Sequence, residues 1–150
     1  MKRGWVKPAL YALVIFAGAF VLWWQMYQSQ NTMYLNGTSF HVTIARTQVE
    51  REKGLSATTS LSDREAMVIV FPENSQSRIW MKDMKYPIDI VWLNDAKQVV
   101  YMVANAQPSS YPKTIYASPV PARYVIEFSA GTIAKLQLKK DTPVGLPSGV

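Results

Sequence analysis

The 150 residues carry 16 Lys and Arg against 10 Asp and Glu, with 49% apolar and 17% charged residues, a balance that excludes wholesale disorder and predicts one globular domain. The absence of Cys removes disulfides, thiolate nucleophiles and Cys-based metal or redox centres. Lys2, Arg3 and Lys7 belong to the N-terminal flank, which leaves 13 cations against 10 acids from residue 28 onward, a net of +3. Nucleic acid is not an expected partner, since the only local basic run in that region is Lys139-Lys140, which reads as a solvated turn rather than a stripe.

Residues 1–27 read as a basic flank followed by a transmembrane anchor. Lys2, Arg3 and Lys7 precede an uncharged, mostly apolar run from Pro8 to Trp24, near the ~20 residues that span a bilayer. Basic residues stay on the cytoplasmic side, so the expected topology is single-pass in the plasma or inner membrane. Trp23, Trp24 and Tyr27 would lie at the far interface, with the remainder of the chain outside the cytoplasm. The bulky Trp-Trp-Gln-Met-Tyr exit lacks the small residues a signal peptidase requires, so the anchor is expected to stay uncleaved.

Residues 28–32 form a polar tether, and a β-rich domain is predicted over 33–146 with a loose tail at 147–150. Asn36-Gly37 between alternating flanks predicts a hairpin. Thr47 with Glu50 three residues later forms a capping box, and Gly54 supplies a stop, so a short surface helix is expected over Gln48 to Lys53. The apolar run Ala66 to Phe71, closed by Pro72, reads as a buried strand. Further strands are predicted in Arg78–Asp83, Pro87–Leu93, Gln98–Ala104 and Tyr124–Ser129. A turn is expected at Asn94 to Lys97, and an extended Pro-rich loop or pair of edge segments from Asn105 to Arg123. Short strands joined by turns predict a mainly β, sandwich-like or barrel-like fold with one short helix.

Two carboxylates stand out on otherwise apolar strands. The period of two places Asp89 with Val91 and Leu93, and Glu127 with Val125. A buried carboxylate needs a partner or a wet cleft, and Arg78, Lys82, Lys85, Arg123 and the amides near Gly131 are the candidates. The single His41 sits in an alternating strand and reads as a surface residue. Asp83, Asp89 and Asp95 have no metal-loop spacing, so no metal and no cofactor are expected.

Four blocks in order carry a resemblance: Thr47…Glu50-Arg51…Gly54-Leu55, Met67-Val68-Ile69-Val70-Phe71, Trp80-Met81-Lys82-Asp83-Met84…Pro87-Ile88-Asp89-Ile90, and Tyr124-Val125-Ile126-Glu127…Ala130-Gly131. From about Phe40 to Val144 the sequence resembles the prokaryotic family named domain of unknown function 192. The resemblance implies a compact, mainly β domain, often secreted or membrane-anchored, and no reaction. Where the family usually has Lys-Asn-Thr after Trp-Met, this sequence has Lys82-Asp83-Met84.

The expected function is a non-enzymatic binding or accessory module of the cell envelope, held by the bilayer and meeting a glycan, peptide or membrane-protein partner. Its candidate polar cluster is Trp80, Lys82, Asp89, Glu127 and Gly131. No standard catalytic constellation is present. The alternative is a hydrolase acting on an envelope glycan with Asp89 and Glu127 as its acid and base.

Overall fold

The computed structural model describes residues 6–29 and 31–150, and within the first helix, α1 (Val6–Ser29), it describes the side chains of residues 10–24. The chain forms two units, one ending at Asn31 and a β domain from Thr32 to Val150. Over residues 10–24 helix α1 is apolar on every side, with Leu10, Ile15, Phe16 and Leu22 all more than half exposed. Among the described residues no helix is long and apolar enough to cross a membrane. The expected basic flank at Lys2 and Arg3 lies outside the described residues.

In the β domain, β1 (Thr32–Leu35) and β2 (Thr38–Ala45) pair through the expected Asn36-Gly37 turn. Both turn residues have positive φ, 45° and 73°, which this tight hairpin requires and which Asn and Gly tolerate. Helix α2 (Gln48–Lys53) carries the complete capping box, with the Thr47 side chain accepting from the Glu50 amide and the Glu50 carboxylate accepting from the Thr47 amide. No α2 residue is buried, as its charged faces imply.

After α2 the chain returns as β3 (Glu65–Ser75), parallel to β2 and antiparallel to β8 (Ala122–Ser129). Strand β8 pairs in turn with β5 (Ile88–Leu93), and β5 with β6 (Val99–Ala106). A final short strand, β9 (Val144–Gly145), pairs with β1, giving the order β6-β5-β8-β3-β2-β1-β9. The sheet curls into a half-barrel whose two ends approach each other: Val99 N–H donates to Thr142 O, and Val144 N–H to Lys97 O.

Both faces of the sheet's middle are covered, which is why all six residues of β5 are buried. The inner face packs Met33, Phe40, Val68, Val91, Ile126 and Phe128, with the Phe40 and Phe128 rings edge to face at 5.1 Å. On the outer face lie Ile69, Ile90, Trp92 and Val125, beneath Ile79 and Met81. Those last two come from the segment between β3 and β5, where β4 (Arg78–Ile79) forms a two-stranded sheet with β7 (Tyr116–Ala117). The indole N–H of buried Trp92 donates to Ser77 O at 3.3 Å, closing this layer over the sheet.

Four local expectations change. The strand through Ala66 does not stop at Pro72 but runs to Ser75. Pro72 is tolerated because the β3–β8 register breaks between Val70 and Ser75, so no ladder bond is demanded there. The segment Arg78–Asp83 is a strand only over its first two residues. Asp83 adopts φ 58°, a left-handed conformation that ends any extension, although Ile79 and Met81 still point inward while Trp80 and Lys82 point out. Where one short helix is expected, the described residues also form a second at Thr132–Lys135. Residues 147–150 are tied down: Arg46 donates to Gly149 O at 3.0 Å, and Lys97 to Val150 O at 2.7 Å.

Candidate functional site

Asp89 and Glu127 lie on adjacent strands and face opposite ways. The β5–β8 register opposes Ile90 to Glu127 and Asp89 to Phe128. Side chains alternate across a sheet, so Glu127 shares the outer face with Ile90 and Asp89 the inner face with Phe128. The sheet itself separates the two carboxylates. They cannot flank one scissile bond as the acid and base of a glycosidase do, which corrects the expectation that they form a pair.

Each carboxylate has a different environment. Asp89, fully buried, accepts from the Asn105 amide at 2.8 Å and from the Ile133 amide at 2.7 Å. Ile133 lies in the first turn of α3 (Thr132–Lys135), whose N-cap, Gly131, adopts φ 92° and offers no side chain to cap it. Asp89 does that work from across the fold, fastening α3 and the end of β6 to the sheet. Of the partners expected for Asp89, the amides next to Gly131 are the ones it uses. Arg123 instead stands 3.8 Å from Asp95.

Glu127 has no such partners. The side chain is 5% exposed, and its buried Oε2 has no hydrogen-bond partner among the described residues. Burial alone pushes its carboxyl from the usual range up to about 7. Above it opens a cavity of about 280 Å³, just below the ~300–1,000 Å³ typical of ligand pockets. Gly54 lines the opening: its φ of 48° and ψ of −137° suit only glycine, and a Cβ there would rest in ordinary contact, 4.0 Å from Glu127 Oε2. The helix stop expected at this residue thus also lies on the wall of the cavity.

The rim is cationic and partly aromatic. Arg51 and Lys53 come from α2, Arg78 from β4, and Lys82 from the turn after it, with Glu52 as the one acid at the rim. Arg51 is committed to the scaffold: it donates to Val70 O at 3.4 Å and stacks 5.5 Å over the Phe71 ring. Lys53, Arg78 and Lys82 are exposed and form no ion pair among the described residues. Trp80, 42% exposed, stands with Ile79 and Met84 on the wall.

Of the five residues expected to cluster, the fold therefore brings Trp80, Lys82 and Glu127 to one pocket. It sends Asp89 and Gly131 to the opposite side of the sheet, where they anchor α3. His41 is exposed on β2 and lines a separate cavity with Glu65. Arg78, expected only as a partner for a buried carboxylate, joins the pocket, and Arg51, Lys53, Gly54 and Phe71 line it without having been legible as site residues, because α2 reaches it only through folding. The signal that could have found some of them is their place in the first two of the four sequence blocks.

The DUF192 family model, described as an uncharacterized ACR, matches residues 31–146. The chain belongs to this family. A crystal structure of a protein of unknown function from Novosphingobium aromaticivorans superposes with a TM-score of 0.70 at 29% identity, covering 75% of this chain and 82% of that one. A protein from Sinorhizobium meliloti 1021, described as a candidate transcription regulator, superposes with a TM-score of 0.69 at 23% identity, covering 75% of this chain and 88% of that one. That second likeness concerns the fold alone. No curated protein matches.

Proposed function

We propose that this DUF192 chain is a membrane-anchored binding module of the cell envelope, with α1 in the bilayer, the N-terminus cytoplasmic, and the β domain outside presenting the Glu127 pocket to a small ligand. The observation that carries the binding reading is the unpartnered Oε2 of Glu127 beneath an open, cation-rimmed cavity. A buried polar atom left without a partner costs roughly 1–3 kcal/mol, and a carboxylate serving the core alone would be matched as Asp89 is.

Support for the anchor comes from the helix itself. At 1.5 Å per residue, the 24 residues of α1 extend about 36 Å, so the backbone length of the helix, though not the apolar run of its described residues, matches a hydrocarbon core of ~30 Å. Its exposed side chains include Leu13, Val14, Ile15, Phe16, Phe20 and Leu22, a surface unsuited to water. Phe20 packs against both Trp23 and Trp24 at the end expected to meet the far interface.

Two measurements test the reading. Fractionation of cells followed by external protease should recover the full chain in the membrane fraction with its β domain accessible; a protected domain or a soluble chain would refute the topology. Soluble muropeptides should raise the unfolding temperature of the full-length chain in mild detergent, and Glu127→Met should abolish that rise. A rise that persists in Glu127→Met would remove the pocket from the explanation.

A further inference from the structure

The rim cations are not counter-ions of Glu127. Burial is the single cause of the upward shift of its carboxyl, with no cation offsetting it, although Lys53, Arg78 and Lys82 all line the same cavity. None of these three is engaged in an ion pair among the described residues. Exposed cations gathered around one opening raise the local concentration of anions and give a bound anion charge-assisted hydrogen bonds.

The rest of the wall narrows the ligand further. Trp80 offers an exposed aromatic face beside Ile79 and Met84, a surface on which a ring can lie, and the cavity of about 280 Å³ has room for one ring of a ligand. Glu127 lines the cavity, and in its protonated form it supplies one hydroxyl donor there and tolerates a neighbouring anion that a carboxylate would repel.

Resting on the binding role given above, we propose that the pocket takes a ring-bearing monocarboxylic acid: its carboxylate meets Arg78 and Lys82, its ring lies on Trp80, and the Glu127 carboxyl donates to an oxygen of the ligand. Arg51, Glu52, Lys53, Arg78 and Lys82 are the other charged groups on the pocket wall, and Tyr86, whose hydroxyl is pushed up mainly by burial and further by the Glu127 and Glu65 charges, is the nearby phenol. Because the bound acid favours the protonated form of Glu127, binding is tighter at pH 6 than at pH 8.

The test is a titration of the ¹⁵N-labelled full-length chain in detergent micelles with D-glucuronate and with benzoate, each against its uncharged match, methyl β-D-glucopyranoside and benzamide. At least one acid should shift the amide signals of Gly54 and Trp80 while its neutral match leaves them in place. Arg78→Ala with Lys82→Ala should weaken that acid at least about tenfold, the loss of one charge-assisted hydrogen bond. Glu127→Gln, a permanently neutral donor of the same shape, should bind the acid with no preference for pH 6 over pH 8. Equal binding of acid and neutral match would overturn the acid class and leave the pocket standing as a binding site. Silence from both acids would overturn the inference, and the muropeptide experiment would then decide the binding role separately.

Discussion

Replacing Glu127 by Gln should stabilise the protein in alkaline solution and leave it unchanged in acid. The wild-type carboxyl moves from an ordinary 4.5 in the unfolded chain to about 7 in the fold, so between those values the folded state holds a proton that the unfolded state has released. Stability therefore falls as pH rises through this window, because the folded chain must either keep the proton or bury a charge. At 1.36 kcal/mol per pH unit, the shift corresponds to about 3 kcal/mol lost between pH 4.5 and pH 8.5. Glutamine has the same shape and no charge, so it removes that slope. Urea unfolding of both proteins, full-length in detergent and followed by near-ultraviolet circular dichroism, isolates the effect. The difference in unfolding free energy between variant and wild type should grow by about 3 kcal/mol across the window. Growth of less than about 1 kcal/mol would refute the claim that Glu127 is buried without a partner.

Asp89→Ala should cost about 2–5 kcal/mol at neutral pH, since it strips acceptors from two amides held at 2.7 and 2.8 Å in the interior, and hydrogen exchange at Ile133 should accelerate with it; a loss below about 1 kcal/mol would contradict its role as fastener of α3. Gly54→Ala should destabilise by about 1–3 kcal/mol, because φ 48° with ψ −137° is strained for any residue with a Cβ, and it should also narrow the pocket, so thermal unfolding and acid titration both report on it.

Local chemistry was legible in the residues themselves. Asn36-Gly37 makes its hairpin and Thr47 with Glu50 caps its helix because the interacting groups lie within three residues of each other, where the chain needs no distant partner to choose its conformation. Alternation also placed Asp89 with Val91 and Glu127 with Val125 correctly, since a period of two is a property of each strand alone. The four matched blocks fixed the family in the same way, as an order of residues rather than a shape.

What lay beyond the sequence was how those strands meet. Only the pairing of β5 with β8, and its register of Ile90 against Glu127, turns two buried acids to opposite sides of the sheet, giving Asp89 the Ile133 amide and leaving Glu127 beneath Gly54. Residues 54 and 127 are far apart in the chain. Their approach depends on the collapse of the outer layer onto the sheet, a balance of many non-local contacts that no short stretch of sequence encodes.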